Sequence, residues 1–190
     1  MNSKNLLWKT CRVLANETRL RILQRLMRGA ELCVSDVADA EKLSAVVASQ
    51  HLRLLHDSGF LHLTRKSKWV FYRAEVNPAV PYAKIIYSPL KTALVFENTQ
   101  IKTIFRIFTA FTHPRRIELT NVLSKRESSF ENLLASCDIS GMALHRHLKK
   151  LISRKFIAQK NDIYQLLRQT NRLQSALLNA CLSSGPYHTS

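Results

Sequence analysis

Two short stretches of this chain set hydrogen-bonding and cationic side chains where they could read a polyanion and hold it. In the first, Val46, Val47, Ser49, Gln50 and Arg53 are interleaved at helical spacing with Ala48, Leu52 and Leu55. That spacing leaves one helix face for contact while the other buries. Glutamine pairs bidentately with adenine, arginine with guanine or a phosphate, and valine packs on a thymine methyl group. The second stretch offers Met142, Ala143, His145, Arg146 and Lys149 over Leu148 and Leu151. A basic turn, RKSK, adds Arg65, Lys66 and Lys68, which would displace counterions from a phosphate backbone. The matching turn at Asn161 and Asp162 carries no comparable charge, so it should bind weakly or not at all.

The charge of the whole chain agrees with a polyanionic partner. Among 190 residues, 29 Lys and Arg face 13 Asp and Glu, a formal net charge of +16, and the isoelectric point is near 10.2. Residues 1–95 and 96–190 carry the same excess of +8 each, which suits a long polyanion better than a basic tail on a neutral body. Four glycines, no phosphate loop, no nucleophile elbow and no paired acids on a plausible cleft leave no catalytic constellation, so no enzyme is expected. The N-terminal apolar run is broken by Lys9 and Arg12, and no stretch approaches the length of a membrane span, which implies a cytoplasmic, nucleoid-associated protein with no membrane partner.

The thiols and imidazoles are weaker candidates. Cys11, Cys33, Cys137 and Cys181 have no CxxC spacing, which speaks against a disulfide framework. A soft-metal site needs two or three thiolates around one ion. Cys11 and Cys33 would form a metal- or oxidation-responsive pair only if the first helix packs across Cys33; otherwise Cys33 and Cys137 are small buried apolar residues. No cofactor is expected. His145 and His147, two apart on a helix, point in different directions, and His147, like His51, is expected to support its helix from behind. His56 and His62 are expected at the surface.

These residues must be positioned by elements that occur twice. LANETRLRILQRL, ELCVSDVA and HLRLLHDSGFL return about 97 residues later, degenerate but in order, as HPRRIELTNVL, SSFENLLA and HLKKLISRKFI. A repeat of that length is a small domain and not a solenoid unit. In the first copy Asn16 caps a helix from Glu17 to about Arg28 that Gly29 stops, a short helix follows near Val34–Ala40, and Ser44 precedes a third over Ala45–Asp57. LHLT and WVFYRA then read as two strands around RKSK. Helix, helix, helix, hairpin is the order of a winged helix-turn-helix, whose third helix enters the major groove. AKIIYSPLKTALVF reads as a helix interrupted at Pro89. In the second copy a helix over Thr99–Ala110 precedes one opened by Pro114. Ser140 caps the helix carrying MALHRHLKKLISRK, a short hairpin FIAQK/IYQLL follows, and a last helix covers Gln169–Leu182. The fold class is therefore mainly α with small β-hairpins, as tandem winged helix-turn-helix domains over residues 1–95 and 96–185, with a tail at 186–190.

Residues 14–73 also resemble the ArsR/SmtB family of winged-helix repressors, through LANETRLRIL, ELCVSDVA, SQHLRLLHDSGFL and the wing RKSKWVFYRAE. Residues 110–167 resemble it only through the repeat. The resemblance implies a dimeric repressor whose terminal helices pair and whose DNA release is triggered by metal, metalloid or thiol chemistry. Two positions depart from the family pattern: Ser67 stands where the wing turn usually has glycine, and Ser35 follows ELCV where the metal-sensing variant has a second cysteine. Asn171–Cys181 holds no counterpart of the three-histidine cluster found in a metal-sensing terminal helix.

The expectation is a sequence-specific double-stranded DNA-binding transcriptional regulator, a repressor, whose two modules form an intramolecular pseudo-dimer or pair as a homodimer of whole chains. The rival readings are one DNA-binding copy with a second used for dimerisation or protein docking, a thiol- or metal-responsive sensor using Cys33 with an unspecified inducer, and non-specific architectural or RNA binding.

Overall fold

The computed structural model describes residues 7–183; the expected tail at 186–190 lies outside them. The described residues separate into two compact units, one of residues 13–105 and one joining residues 7–12 with residues 106–183. A cut at residue 95 follows the sequence repeat but not this grouping. The connection on either side of that point is held on the first unit, where Gln24 Nε2 donates to the Leu94 carbonyl at 2.8 Å and Arg28 Nη2 to Asn98 Oδ1 at 3.1 Å. Cys11, for its part, lies among groups of the second unit, next to Cys181 and Arg116.

Helix α1 (Leu7–Leu14) belongs up to Arg12 to the second unit; the first unit opens with α2 (Glu17–Met27), where Asn16 Oδ1 accepts the Arg19 N–H at 2.9 Å. Gly29, at φ +102°, ends the helix, a left-handed position that only glycine takes without penalty. A two-residue strand β1 (Leu32–Cys33) precedes α3 (Val34–Glu41) and α4 (Ala45–Asp57). Strands β2 (Leu61–Lys66) and β3 (Trp69–Ala74) form a hairpin, and β1 adds to β3, so the antiparallel order is β1-β3-β2. The register pairs Leu32 with Tyr72 and Lys66 with Trp69. Leu20, Leu23, Val37, Leu52, Leu55 and Phe60 are buried.

Helix α5 (Pro81–Lys91) runs through Pro89, against the interruption expected there. Proline removes one backbone donor and displaces the carbonyl a turn earlier. Here the chain stays helical and widens into a π-helical turn, Thr92–Phe96, closed by Glu97 N–H donating to the Thr92 carbonyl at 2.9 Å. Helix α6 (Ile101–Phe108) and a 3₁₀ turn, Thr109–Phe111, replace the single helix expected over Thr99–Ala110.

The second unit continues with α7 (Pro114–Lys125), β4 (Ser128–Ser129), α8 (Phe130–Ser136), α9 (Gly141–Ser153), β5 (Ile157–Lys160), β6 (Ile163–Leu166) and α10 (Arg172–Leu182). Its sheet order is β4-β6-β5. Helix α10 starts three residues later than Gln169 because Asn171 Oδ1 caps it, accepting from the N–H groups of Leu173 and Gln174. Phe111 and Phe156 meet edge to face at 4.7 Å within the buried side, a favoured ring geometry.

Each unit thus has the same succession of helix, short strand, helix, helix and hairpin, and local details correspond. Arg19 Nε donates to the Val13 carbonyl and Arg116 Nε to the Ala110 carbonyl, each six residues upstream. Ser44 and Ser140 accept the third N–H of α4 and α9 at 3.3 Å. Phe60 N–H and Phe156 N–H reach the Leu55 and Leu151 carbonyls, at 3.0 and 3.1 Å.

Candidate nucleic-acid interface

Helix α4 owes its orientation to a buried stripe of Ala48, Leu52 and Leu55, which packs on α2 and α3. The opposite face is left to solvent: Val46 is 68% exposed, and Val47, Ser49, Gln50 and Arg53 are exposed with it. All five residues expected to read bases therefore share one surface. Arg53 Nε lies 4.0 Å from Asp57 Oδ2, a loose surface pair that salt or a phosphate would replace. Leu54 is also exposed.

The hairpin β2–β3 turns at Ser67 and Lys68, with Ser67 at φ +54°. Arg65, Lys66 and Lys68 are all exposed, but they are not equivalent. Lys66 Nζ is ion-paired with Glu31 and lies 5.1 Å over the Phe71 ring, so part of its charge is already answered within the protein. Lys68 Nζ lies 5.9 Å over the half-exposed Trp69 ring. Sequence reasoning passed over Glu31 and Trp69. Trp69 was visible as an aromatic beside a basic turn, whereas Glu31 becomes relevant only when β1 joins β3.

Helix α9 repeats the arrangement on Leu144, His147, Leu148 and Leu151, all buried. Met142, 86% exposed, and His145, Arg146 and Lys149 face outward. His145 and His147 separate onto opposite faces, as their spacing implies. His147 is 5% exposed, its ring centroid 4.6 Å from that of His113, and its Nδ1 has no hydrogen-bond partner among the described residues. Burial, reinforced by His113, Arg116, Arg146 and Arg115, pulls its pKa from the ordinary 6.5 down to about 4. His51 is half-buried with Nδ1 3.3 Å from Arg19 Nη1, while His62 is exposed and His56 partly so.

All four cysteines are free and buried. Cys33 sits at the N-terminus of α3, where its N–H donates to Asp36 Oδ2 at 2.7 Å and its Sγ lies 2.9 Å from Ser35 Oγ. One thiol, one hydroxyl and an occupied carboxylate do not fit a soft metal that asks for two or three thiolates. Cys11 has Cys181 and Arg116 as electrostatic neighbours, and burial pushes the thiols of Cys11 and Cys181 upward. No group of three or more His, Cys, Asp or Glu able to hold a metal occurs among the described residues.

The helix, strand and helix that present Val46–Arg53 also carry the similarity to known proteins. Residues 16–62 match the family model described as bacterial regulatory protein, arsR family. This segment is arsR-like. It runs from the cap of α2 into β2, and so contains the whole of α4. The arsenical resistance operon repressor of Escherichia coli is 44% identical over 77 residues, 40% of this chain and 64% of that protein. The arsenic resistance transcriptional regulator ArsR1 of Pseudomonas putida is 41% identical over 68 residues, 36% of this chain and 52% of its own length. A cadmium resistance regulator, the CadC homolog of Staphylococcus aureus, is 39% identical over 64 residues, 34% of this chain and 53% of that protein. The chain thus spans between half and two thirds of the length of these curated relatives. No helix of the described residues is long and apolar enough to cross a membrane.

Proposed function

We propose that this chain is a sequence-specific double-stranded DNA-binding transcriptional regulator, acting as a repressor, in which the arsR-like unit reads bases through α4. The observation that carries the reading is the exposed face of Val46, Val47, Ser49, Gln50 and Arg53 on a helix anchored from behind, within a segment similar to a named repressor and to named transcriptional regulators. Such a helix, entered by a tight turn, has the form that docks in a major groove. The second unit is read as a divergent copy of the same winged helix, supported by the matching element order, strand order and capping serines. Two copies in one chain would act as an intramolecular pseudo-dimer, with operator half-sites roughly 34 Å apart. Because α4 and α9 present different side chains, those half-sites should differ in sequence.

The test is selection of bound sequences from a random duplex library at about 150 mM salt, where weak phosphate contacts are screened. An enriched motif with two unlike half-sites is the expected result. A strict inverted repeat would favour a homodimer of whole chains, and absence of enrichment would sink the reading.

One observation favours a second reading, in which the second unit docks protein. Met142 stands 86% exposed at the start of α9, and its hairpin turns on Asn161 and Asp162 beside Lys160, where the first unit has Arg65, Lys66 and Lys68. A cadmium- or arsenic-responsive role through Cys33, suggested by the names of the relatives, is not supported by any group of three or more His, Cys, Asp or Glu among the described residues.

A further inference from the structure

The two units distribute their cations differently. In the first, the hairpin carries the exposed cations Arg65, Lys66 and Lys68, while the C-terminal end of α4 has the uncharged Leu54 and its cap Ser58. In the second the hairpin turn is Asn161–Asp162, and the positions matching Leu54 and Ser58 are Lys150 and Arg154. Lys150 and Arg154 are four residues apart and stack on one side of α9, continuing a row begun by Arg146.

The row ends on a polar knot. Arg154 Nε donates to Thr109 Oγ1 at 2.8 Å, and Thr109 Oγ1 donates to the carbonyl of Arg106 at 2.7 Å. Arg116 fills the space beneath, its guanidinium bonded to the carbonyls of Ala110 and Thr109 and to Thr112 Oγ1. Every one of these acceptors is neutral. Among the described residues no carboxylate forms an ion pair with Arg106, Arg116, Lys150 or Arg154, although Arg115 nearby has Glu118 at 2.8 Å. The uncompensated charge is felt within the cluster: burial and the neighbouring Arg154, Arg116 and Arg106 make Lys150 give up its proton more readily than an ordinary lysine. Arg116 and Arg154, fixed by hydrogen bonds that neutralise neither, together with the neighbouring Lys150 and Arg106, gather uncompensated positive charge that suits an anion.

We propose that Arg106, Lys150 and Arg154 form the phosphate clamp of the second unit, holding the DNA backbone where its hairpin, with Lys160 beside the turn, is less basic than the wing of the first unit. The proposal rests on the DNA-binding reading above. Arg106 is exposed and Lys150 and Arg154 partly so, which leaves them reachable by a backbone too large to enter a pocket. Arg154 also positions Thr109, so the informative substitutions are at the other two.

The experiment compares the full chain with the Arg106→Gln/Lys150→Gln variant on a long fluorescent duplex of mixed sequence, following affinity as salt is raised. Each lost phosphate contact lowers the slope of log affinity against log salt by about 0.9, so the double variant should lose about 1.8 and bind severalfold to tenfold more weakly at moderate salt. Circular dichroism and a thermal melt confirm that it folds. An Arg65→Gln/Lys68→Gln variant should lose a comparable slope through the other unit. An unchanged slope for Arg106→Gln/Lys150→Gln beside a reduced one for the wing variant overturns the clamp and leaves the DNA-binding reading standing. A wild-type chain without affinity for the duplex overturns both. A slope that changes on RNA duplex but not on DNA also overturns the clamp as stated.

Discussion

At the scale of single residues, the clearest comparison is between Gly59 and Lys155, which end α4 and α9 in the same way. Gly59 sits at φ +81°, and a Cβ there would lie 2.8 Å from Val80 Cβ. Lys155 takes φ +59° with a side chain. A left-handed conformation costs an ordinary residue about 1–2 kcal/mol, and glycine returns part of that in chain entropy. Lys155→Gly should therefore stabilise the protein by about 0.5–1 kcal/mol, and Gly59→Ala should destabilise it by more than about 2 kcal/mol, because strain and collision add; urea unfolding of both variants measures this. His147 makes a second prediction. It stays neutral in the folded protein until about pH 4, against 6.5 ordinarily, so below 6.5 the unfolded chain binds a proton that the native one refuses. Stability is then full above pH 6.5 and falls as the pH drops toward 4, by on the order of 1–3 kcal/mol. His147→Leu should flatten that dependence in urea melts at pH 7 and pH 5; an unchanged dependence would mean that His147 takes up a proton as freely in the folded protein as in the unfolded chain.

At the scale of elements, caps and alternation of exposure decide where each helix begins and which face it offers. Ser44 and Ser140 hold corresponding places on α4 and α9. Replacing either by alanine should lower stability by about 1 kcal/mol, visible as a few degrees in a thermal melt. The effect should be additive in the double variant, since the two serines share no partner. Both caps, the stop at Gly29 and the outward faces of α4 and α9 were legible in the sequence because they depend on neighbours within one or two turns. The strands β1 and β4 were not. Each is two residues long, too short for alternation to register, and each exists only because β3 or β6 has a free edge to pair with. The passage of α5 through Pro89 was hidden for a related reason: local propensity predicts a break, and the helix continues because Tyr82, Ala83, Ile86 and Leu90 are buried along one side.

For the whole molecule, the decisive quantity is how its +16 charge is divided between two candidate reading heads. If both contact DNA, Arg146→Glu with Lys149→Glu should weaken binding at least tenfold in a titration near physiological salt, since each reversal replaces an attraction with a repulsion; unchanged affinity would assign DNA contact to α4 alone. The repeat at about 97 residues, the even spread of basic charge and the arsR-like character of the first unit could all be read from the chain, because residue type and spacing alone carry them. Which cations remain available could not. Lys66 is drawn to Glu31, 35 positions away, once β1 pairs with β3, and Arg106 joins Lys150 and Arg154 only when the end of α6 meets the end of α9. Grouping the chain up to Arg12 with the half that begins at Arg106 is likewise a tertiary outcome. The principal helices, the two hairpins and the amphipathic faces of α4 and α9 could be read from the chain, since those follow from hydrogen bonds and side-chain periods over a few residues. The tertiary structure alone decided which charges are paired, which thiols share a core and where free cations converge, since those depend on contacts between segments tens of residues apart.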